Sequence, residues 1–148
     1  HKALDGIFLN IGGVRSILPE GQVTMRNAFE LMPFENSVCV VPMQKKDIQN
    51  MVQFFIDDKK AHPVKGISFQ YNAAKTGATA IWINGQPLTD RTYYIATNDY
   101  LYNGGDRMTF FKAAGEKMEL DYKLRNALID YFQSVTELPT QFPNLVQP

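Results

Sequence analysis

Apolar residues recur along the chain with two periods, and the changes from one to the other divide it into strands and helices. Leu4 to Asn10 predicts a short strand that runs into Gly12-Gly13, and Gly21 breaks the segment that follows. Thr24 is placed to cap a helix over Met25 to Leu31, which Pro33 ends because the residue before a proline is pushed out of α space. Ser37 to Met43 is a continuous apolar run, the pattern of a strand in the centre of a sheet. Ile48, Met51, Val52, Phe55 and Ile56 fall on one face of a helix. Asp47 near its start and Lys59-Lys60 at its end suit the helix dipole, and Asp57-Asp58 predicts a solvated helix end.

Period-two patterning follows. Ile67, Phe69 and Tyr71 alternate with polar residues, and Ala78 to Ile83 and Thr92 to Thr97 predict two more strands. Asn84-Gly85 is a hairpin signal, with Pro87 predicting a connection longer than two residues. A last helix is expected over Asp121 to Val135, with Leu124, Ala127, Leu128, Tyr131 and Phe132 as its buried stripe. Pro139, Pro143 and Pro148 predict an extended tail over the surface. Together these elements make one mixed α+β domain over residues 1–148.

Composition narrows the classes of function. Among 148 residues, 45% are hydrophobic and 12% aromatic, too apolar for a disordered chain. Fifteen basic residues balance fifteen acidic ones, so there is no electrostatic footprint for nucleic acid. No apolar run is long enough to predict a membrane span. The single cysteine, Cys39, lies in the run Val38-Cys39-Val40-Val41 and is expected to be a buried, inert thiol.

No catalytic centre is expected within the chain. His1 and His62 are each without a second ligand at metal spacing and are expected to be solvated, so no metal site is predicted. There is no nucleophile elbow and no phosphate loop.

Three short constellations carry binding chemistry instead. In Asn10-Ile11-Gly12-Gly13-Val14-Arg15, two glycines allow close backbone approach and Arg15 offers a forked cation suited to phosphate or ribose oxygens. In Met32-Pro33-Phe34-Glu35-Asn36, a proline corner presents an aromatic face on which a base can stack. In Asn98-Asp99-Tyr100-Leu101-Tyr102-Asn103-Gly104-Gly105-Asp106, an aromatic precedes two glycines and a carboxylate that can accept from vicinal sugar hydroxyls. Each alone also has a plainer reading: a glycine turn with a surface arginine, a core phenylalanine, and an Asp106 that caps a helix over Met108 to Lys112.

In this order and spacing the three resemble the C-terminal domain of the 5′-nucleotidases and UDP-sugar hydrolases. That family shows Asn-x-Gly-Gly-Ile/Val-Arg, then Pro-Phe-x-Asn, then Asn-Gly-Gly-Asp-Gly, and the resemblance runs from Leu4 to about Val135. It implies a mixed β-sheet domain with packed helices, layered α/β/β/α, that recognises a nucleotide or nucleoside. By matching motif, Phe34 and Tyr100 would sandwich the base, Asn10 and Asn36 would bond its edge, and Asp106 would take the ribose hydroxyls. Arg15, Gly12 and Gly13 would line the ribose–phosphate side. The resemblance further implies a hydrolytic centre of two divalent metals in an N-terminal metallophosphoesterase domain, supplied in cis or in trans and absent from this chain, and a periplasmic or cell-surface location. Three positions depart from the pattern: Ile11 where many members have glycine, Tyr100 for phenylalanine, and Arg107 for glycine, the last within reach of Asp106. The alternative is a non-catalytic binding or structural module whose nucleoside site has decayed.

Overall fold

The computed structural model describes residues 3–141 and 146–147; His1, Pro143 and Pro148 lie outside them. Two sheets and the helices packed on them make the α+β architecture that the patterning predicts. The first sheet has the order β3-β1-β7-β2-β8, formed by Val64–Lys65, Gly6–Phe8, Tyr93–Asn98, Ser37–Met43 and Met118–Lys123. The second has the order β6-β5-β4-β9, formed by Gln86–Pro87, Ala78–Ile83, Ile67–Tyr71 and Val146–Gln147. Among the described residues, five α-helices accompany them: α1 (Met25–Leu31), α2 (Lys45–Asp58), α3 (Asp99–Tyr102), α4 (Phe110–Ala114) and α5 (Leu124–Ser134).

Strand direction in the first sheet decides where loops meet. β1 runs parallel to β7, with Gly6 opposite Ile95 and Ile7 opposite Ala96. β2 runs antiparallel on the other side of β7, with Val38 opposite Asn98 and Met43 opposite Tyr93. The C-terminal ends of β1 and β7 and the N-terminal end of β2 therefore share one edge of the sheet. The chain after Phe8, the chain before Ser37 and the chain after Asn98 all emerge there.

The core lies where α2 touches both β2 and β5. Ile48, Met51, Val52 and Ile56 of α2 are buried together with Phe8, Val41, Ile95 and Phe69 from the two sheets. Full burial of each such side chain is worth about 1.5–3 kcal/mol. The helix is set at its start by Asp47, whose carboxylate accepts the Gln44 N–H at 2.8 Å, and at its end by Lys59 in left-handed backbone, φ 55. Cys39 is buried mid-strand, and burial pushes its thiol up to about 11, which leaves it protonated and unreactive. Among the described residues, no helix is long and apolar enough to cross a membrane.

Three elements differ from the sequence pattern. Residues 121–123, expected in the last helix, belong to β8. There Met118, Leu120 and Tyr122 alternate with Glu119, Asp121 and Lys123, and ladder bonds to β2 at the sheet edge override the helical period. The α5 stripe is only half buried, Tyr131 is exposed, and the one buried residue of this helix is Arg125. The β5–β6 hairpin closes with Asn84-Gly85 alone, Ile83 opposite Gln86, both turn residues having positive φ. Pro87 is accommodated because β6 is an edge strand, where a missing N–H removes no ladder bond.

Gly66, between β3 and β4, is packed tightly against the chain before β1. Its φ is 79°, and a Cβ there would stand 2.6 Å from the Asp5 carbonyl oxygen and 2.9 Å from the Asn84 side-chain oxygen. Gly66→Ala is expected to lower unfolding free energy by about 1–3 kcal/mol in urea denaturation. A change within about 0.5 kcal/mol would show that the turn relaxes around a methyl group.

Candidate functional site

Asn10, just past β1, opens the first loop. Ile11–Gly13 form one 3-10 turn, closed by the Gly13 N–H on the Asn10 carbonyl at 3.1 Å. The Arg15 N–H donates to the Leu31 carbonyl at 2.9 Å, which ties the loop to the end of α1. The buried Asn10 side chain folds back over both glycines. A Cβ on Gly12 would lie 3.3 Å from its amide nitrogen, and one on Gly13 3.1 Å from its oxygen. That same nitrogen donates to Oδ2 of Asp106 at 2.6 Å, joining residues 96 positions apart.

The second loop is the proline corner between α1 and β2. Phe34 is 48% exposed, and the Arg15 guanidinium stands 5.8 Å from its ring centroid. The corner is held from behind by Arg125 of α5. Its guanidinium donates to the Met32 and Pro33 carbonyls, both at 3.2 Å, pairs with Glu35, and lies over the Phe29 ring at 4.0 Å. Sequence reasoning did not single out Arg125. The available signal was a cation set three residues before Leu128, beside the apolar stripe of the helix.

The third loop starts where β7 gives way to α3. Asn98 caps that helix by accepting the Leu101 N–H at 2.9 Å. Asp99 gathers three donors on one oxygen: the Tyr100 N–H at 2.9 Å, the Asn36 amide at 3.1 Å and the Ser37 N–H at 3.2 Å. It thus fastens the third loop to the second. Past Gly104, Asp106 and Arg107 both adopt left-handed backbone, φ 52 and 64. Tyr100 lies flat on Gly105, where any Cβ would come within 2.5 Å of its ring. Its hydroxyl donates to Oδ1 of Asp106 at 2.8 Å, and this bond to an acidic acceptor raises the phenol above its ordinary range. The Tyr100 ring is 46% exposed.

All eight residues singled out from the sequence therefore meet at one sheet edge. Asn10, Gly13, Phe34 and Asn36 line a cleft with an apolar floor of Leu9, Val14, Met32 and Leu124. Tyr100 and Asp106 adjoin it through Asn10, while Gly12 and Arg15 flank it, the Arg15 guanidinium 3.4 Å from the Gly12 carbonyl oxygen. Asp106 caps no helix: α4 begins at Phe110 behind Thr109. The described residues bring no three His, Cys, Asp or Glu side chains together as a metal site requires.

Two expectations are overturned beside this site. His62 is buried, with its side chain 2% exposed, and so is Asp58, at 6%. The His62 Nε2 lies 2.8 Å from Oδ2 of Asp58, and its Nδ1 accepts the Ile11 N–H at 3.1 Å. The chain after α2 turns at Lys59 and brings His62 under the first loop; Asp57 at the helix end is exposed as expected, and only the Asp58 side chain is covered. Arg107, expected to reach Asp106, instead donates to Oδ1 of Asp58 at 3.2 Å.

Comparison with known proteins gives a consistent family. The model of the family described as 5′-nucleotidase, C-terminal domain, matches residues 6–113. The trifunctional nucleotide phosphoesterase protein YfkN of Bacillus subtilis is 28% identical over 94% of this chain and 10% of its own length. The cell wall protein Lmo0130 of Listeria monocytogenes is 28% identical over 80% of this chain and 17% of its own. A crystal structure of a 5′-nucleotidase precursor from Thermus thermophilus superposes with a TM-score of 0.84 at 20% identity, over 97% of this chain and 31% of that one. The chain thus spans between a tenth and a third of the length of these proteins.

The Asp58–His62 pair predicts a specific acid response. The hydrogen bond from His62 holds the Asp58 carboxyl below the usual carboxylate range, outweighing the opposite effect of burial. Its folded pKa lies below the unfolded value of about 3.9. The stability it contributes is therefore complete above that value and is lost as pH falls through the folded pKa. In urea denaturation Asp58→Asn should be less stable than wild type at neutral pH, and the gap should close on acidification to about pH 2. A gap independent of pH would show that Asp58 titrates alike in the folded and unfolded chains.

Proposed function

Because the chain belongs to the family of 5′-nucleotidase C-terminal domains, we propose that it is the substrate-recognising part of a 5′-nucleotidase-type phosphoric ester hydrolase, with a nucleotide or nucleoside as its ligand. The observation that carries this reading is the Asp106 carboxylate, held by the Asn10 amide and the Tyr100 hydroxyl beside a cleft that Phe34 lines. Each of its oxygens accepts one hydrogen bond from the protein. A carboxylate has about four acceptor sites, which leaves two for the vicinal hydroxyls of a ribose. Phe34 and Tyr100 offer flat faces to a base, each stacking contact being worth about 1–3 kcal/mol whichever base is bound.

The polar groups around the rings are already oriented. Asp99, as an acceptor, fixes the Asn36 amide with its nitrogen inward, so the carbonyl oxygen is what the side chain can turn to a base edge. Arg15, beside Phe34 and the Gly12 carbonyl, is the cation placed for ribose–phosphate oxygens. Hydrolysis itself needs a different donor set. With no cluster of metal-ligating side chains among the described residues, we assign the divalent metals to a metallophosphoesterase domain, joined in cis or acting in trans. The role of this chain is to bind and orient the nucleoside while that domain supplies Lewis-acid chemistry at the phosphate. Location at the cell surface or in the periplasm is part of the same proposal.

Two measurements check this reading. Isothermal titration should show adenosine binding in the range of about 1 mM, corresponding to roughly 4 kcal/mol. Phe34→Ala should weaken it by about tenfold, and Tyr100→Phe, which keeps its π face, by no more than about threefold. Equal affinity in wild type and Phe34→Ala would remove the stacking role. The purified chain with added manganese or zinc should release no phosphate from AMP; release that is abolished by a substitution within the chain would refute the assignment of the metals elsewhere.

A further inference from the structure

The two polar loops of the site converge from behind on a single buried pair. The Ile11 N–H donates to Nδ1 of His62 at 3.1 Å, Nε2 of that ring lies 2.8 Å from Oδ2 of Asp58, and Oδ1 of Asp58 accepts from Arg107 at 3.2 Å. Since Nδ1 accepts, the ring proton sits on Nε2 and points at the carboxylate. Among the described residues, the other charged group at the pair is Lys60, 3.5 Å from Oδ2 of Asp58.

We propose that Asp58 and His62 are positioning residues of the nucleoside site: one carboxylate at the end of α2 sets both the turn that carries Asn10 and the turn that carries Asp106. This rests on the nucleoside reading above. Three observations bear on it. Ile11 and Arg107, the partners of the pair, are each one residue away from Asn10 and Asp106, which bond one another at 2.6 Å. Asp106 and Arg107 hold consecutive left-handed backbone, which residues other than glycine keep only where their surroundings determine it. Arg107, tied to Asp58, and Asp106, tied to Asn10 and Tyr100, are determined from both sides.

Stability alone is a weak reason for such a pair, because apolar groups of the same shape in place of both partners often serve as well or better. The His62 ring already stands among Phe8, Phe54 and Phe55, with centroids 5.7, 6.1 and 6.1 Å away. A phenylalanine suits that cage. It supplies neither an acceptor for the Ile11 N–H nor a donor for Asp58.

His62→Phe is therefore the decisive variant, with His62→Asn as the rescue, since an asparagine oxygen occupies the place of Nδ1. Amide hydrogen exchange and adenosine titration are followed by NMR on the whole chain. In His62→Phe, the Ile11 amide should exchange at least tenfold faster, the ligand-free Asn10 side-chain amide signals should move, and adenosine affinity should fall at least fivefold, in a chain whose spectrum shows it still folded. His62→Asn should restore Ile11 protection and recover part of the lost affinity, Asp58 still being without its donor. Asn10 signals that stay in place in ligand-free His62→Phe overturn the proposal, whether or not adenosine binds. Unchanged adenosine affinity in a His62→Phe chain with an unprotected Ile11 overturns it as well. Absence of adenosine binding by wild type instead refutes the nucleoside reading and, with it, the purpose assigned to the pair. If His62→Phe does not fold, Asp58→Asn decides: it keeps an acceptor for His62 and loses the charge facing Arg107. Altered Asp106 and Arg107 signals beside an intact Ile11 amide support the proposal, and unaltered ones contradict it.

Discussion

The parallel pairing of β1 with β7, with β2 antiparallel on the far side, is the constraint on which the site depends. Two strands must point the same way for their following loops to leave at one edge, and the third must point the other way for its preceding loop to arrive there. Nothing in the individual loops achieves this. Asn10 and Asp106 are 96 positions apart in sequence and 2.6 Å apart in space because the sheet carries them to the same place.

Carboxylates then complete what the sheet begins. Asp99 collects N–H groups from the second and third loops, Asp106 joins the first loop to Tyr100, and Asp58 braces the first and third from below. Hydrogen bonds to charged acceptors are stronger and more directional than apolar contacts. They suit loops that have little side-chain bulk to pack. The glycines serve the same end: Gly12, Gly13 and Gly105 are spaces occupied by the Asn10 amide and the Tyr100 ring. Arg125 does for the proline corner what Asp58 does for the glycine turns, reaching from a distant helix to two carbonyls that frame Phe34.

Local pattern carried much of this in the sequence. The bounds of β2 and β5 and of α1 coincide with the runs that predict them, and the buried residues of α2 all lie on its periodic face, where Phe55 is half-buried. The three site loops were legible through the order and spacing in which they resemble the family's motifs, each motif alone having a plainer reading. What pattern did not carry depends on partners remote in sequence. β8 is a strand because β2 offers it a ladder. His62 and Asp58 look like solvated loop and helix-end residues until the first loop folds over them. Arg107 stands next to Asp106 in the chain, yet its left-handed backbone turns the side chain to Asp58.

The central claim is that three loops make one nucleoside site, with the base between Phe34 and Tyr100 and the ribose at Asp106. Intermolecular nuclear Overhauser effects from saturating adenosine to this chain test it most directly. The account predicts contacts from the base protons to both the Phe34 and the Tyr100 rings, and from the ribose protons to the Gly105–Arg107 turn. Base contacts confined to one ring, or lying on a surface away from this sheet edge, would contradict it.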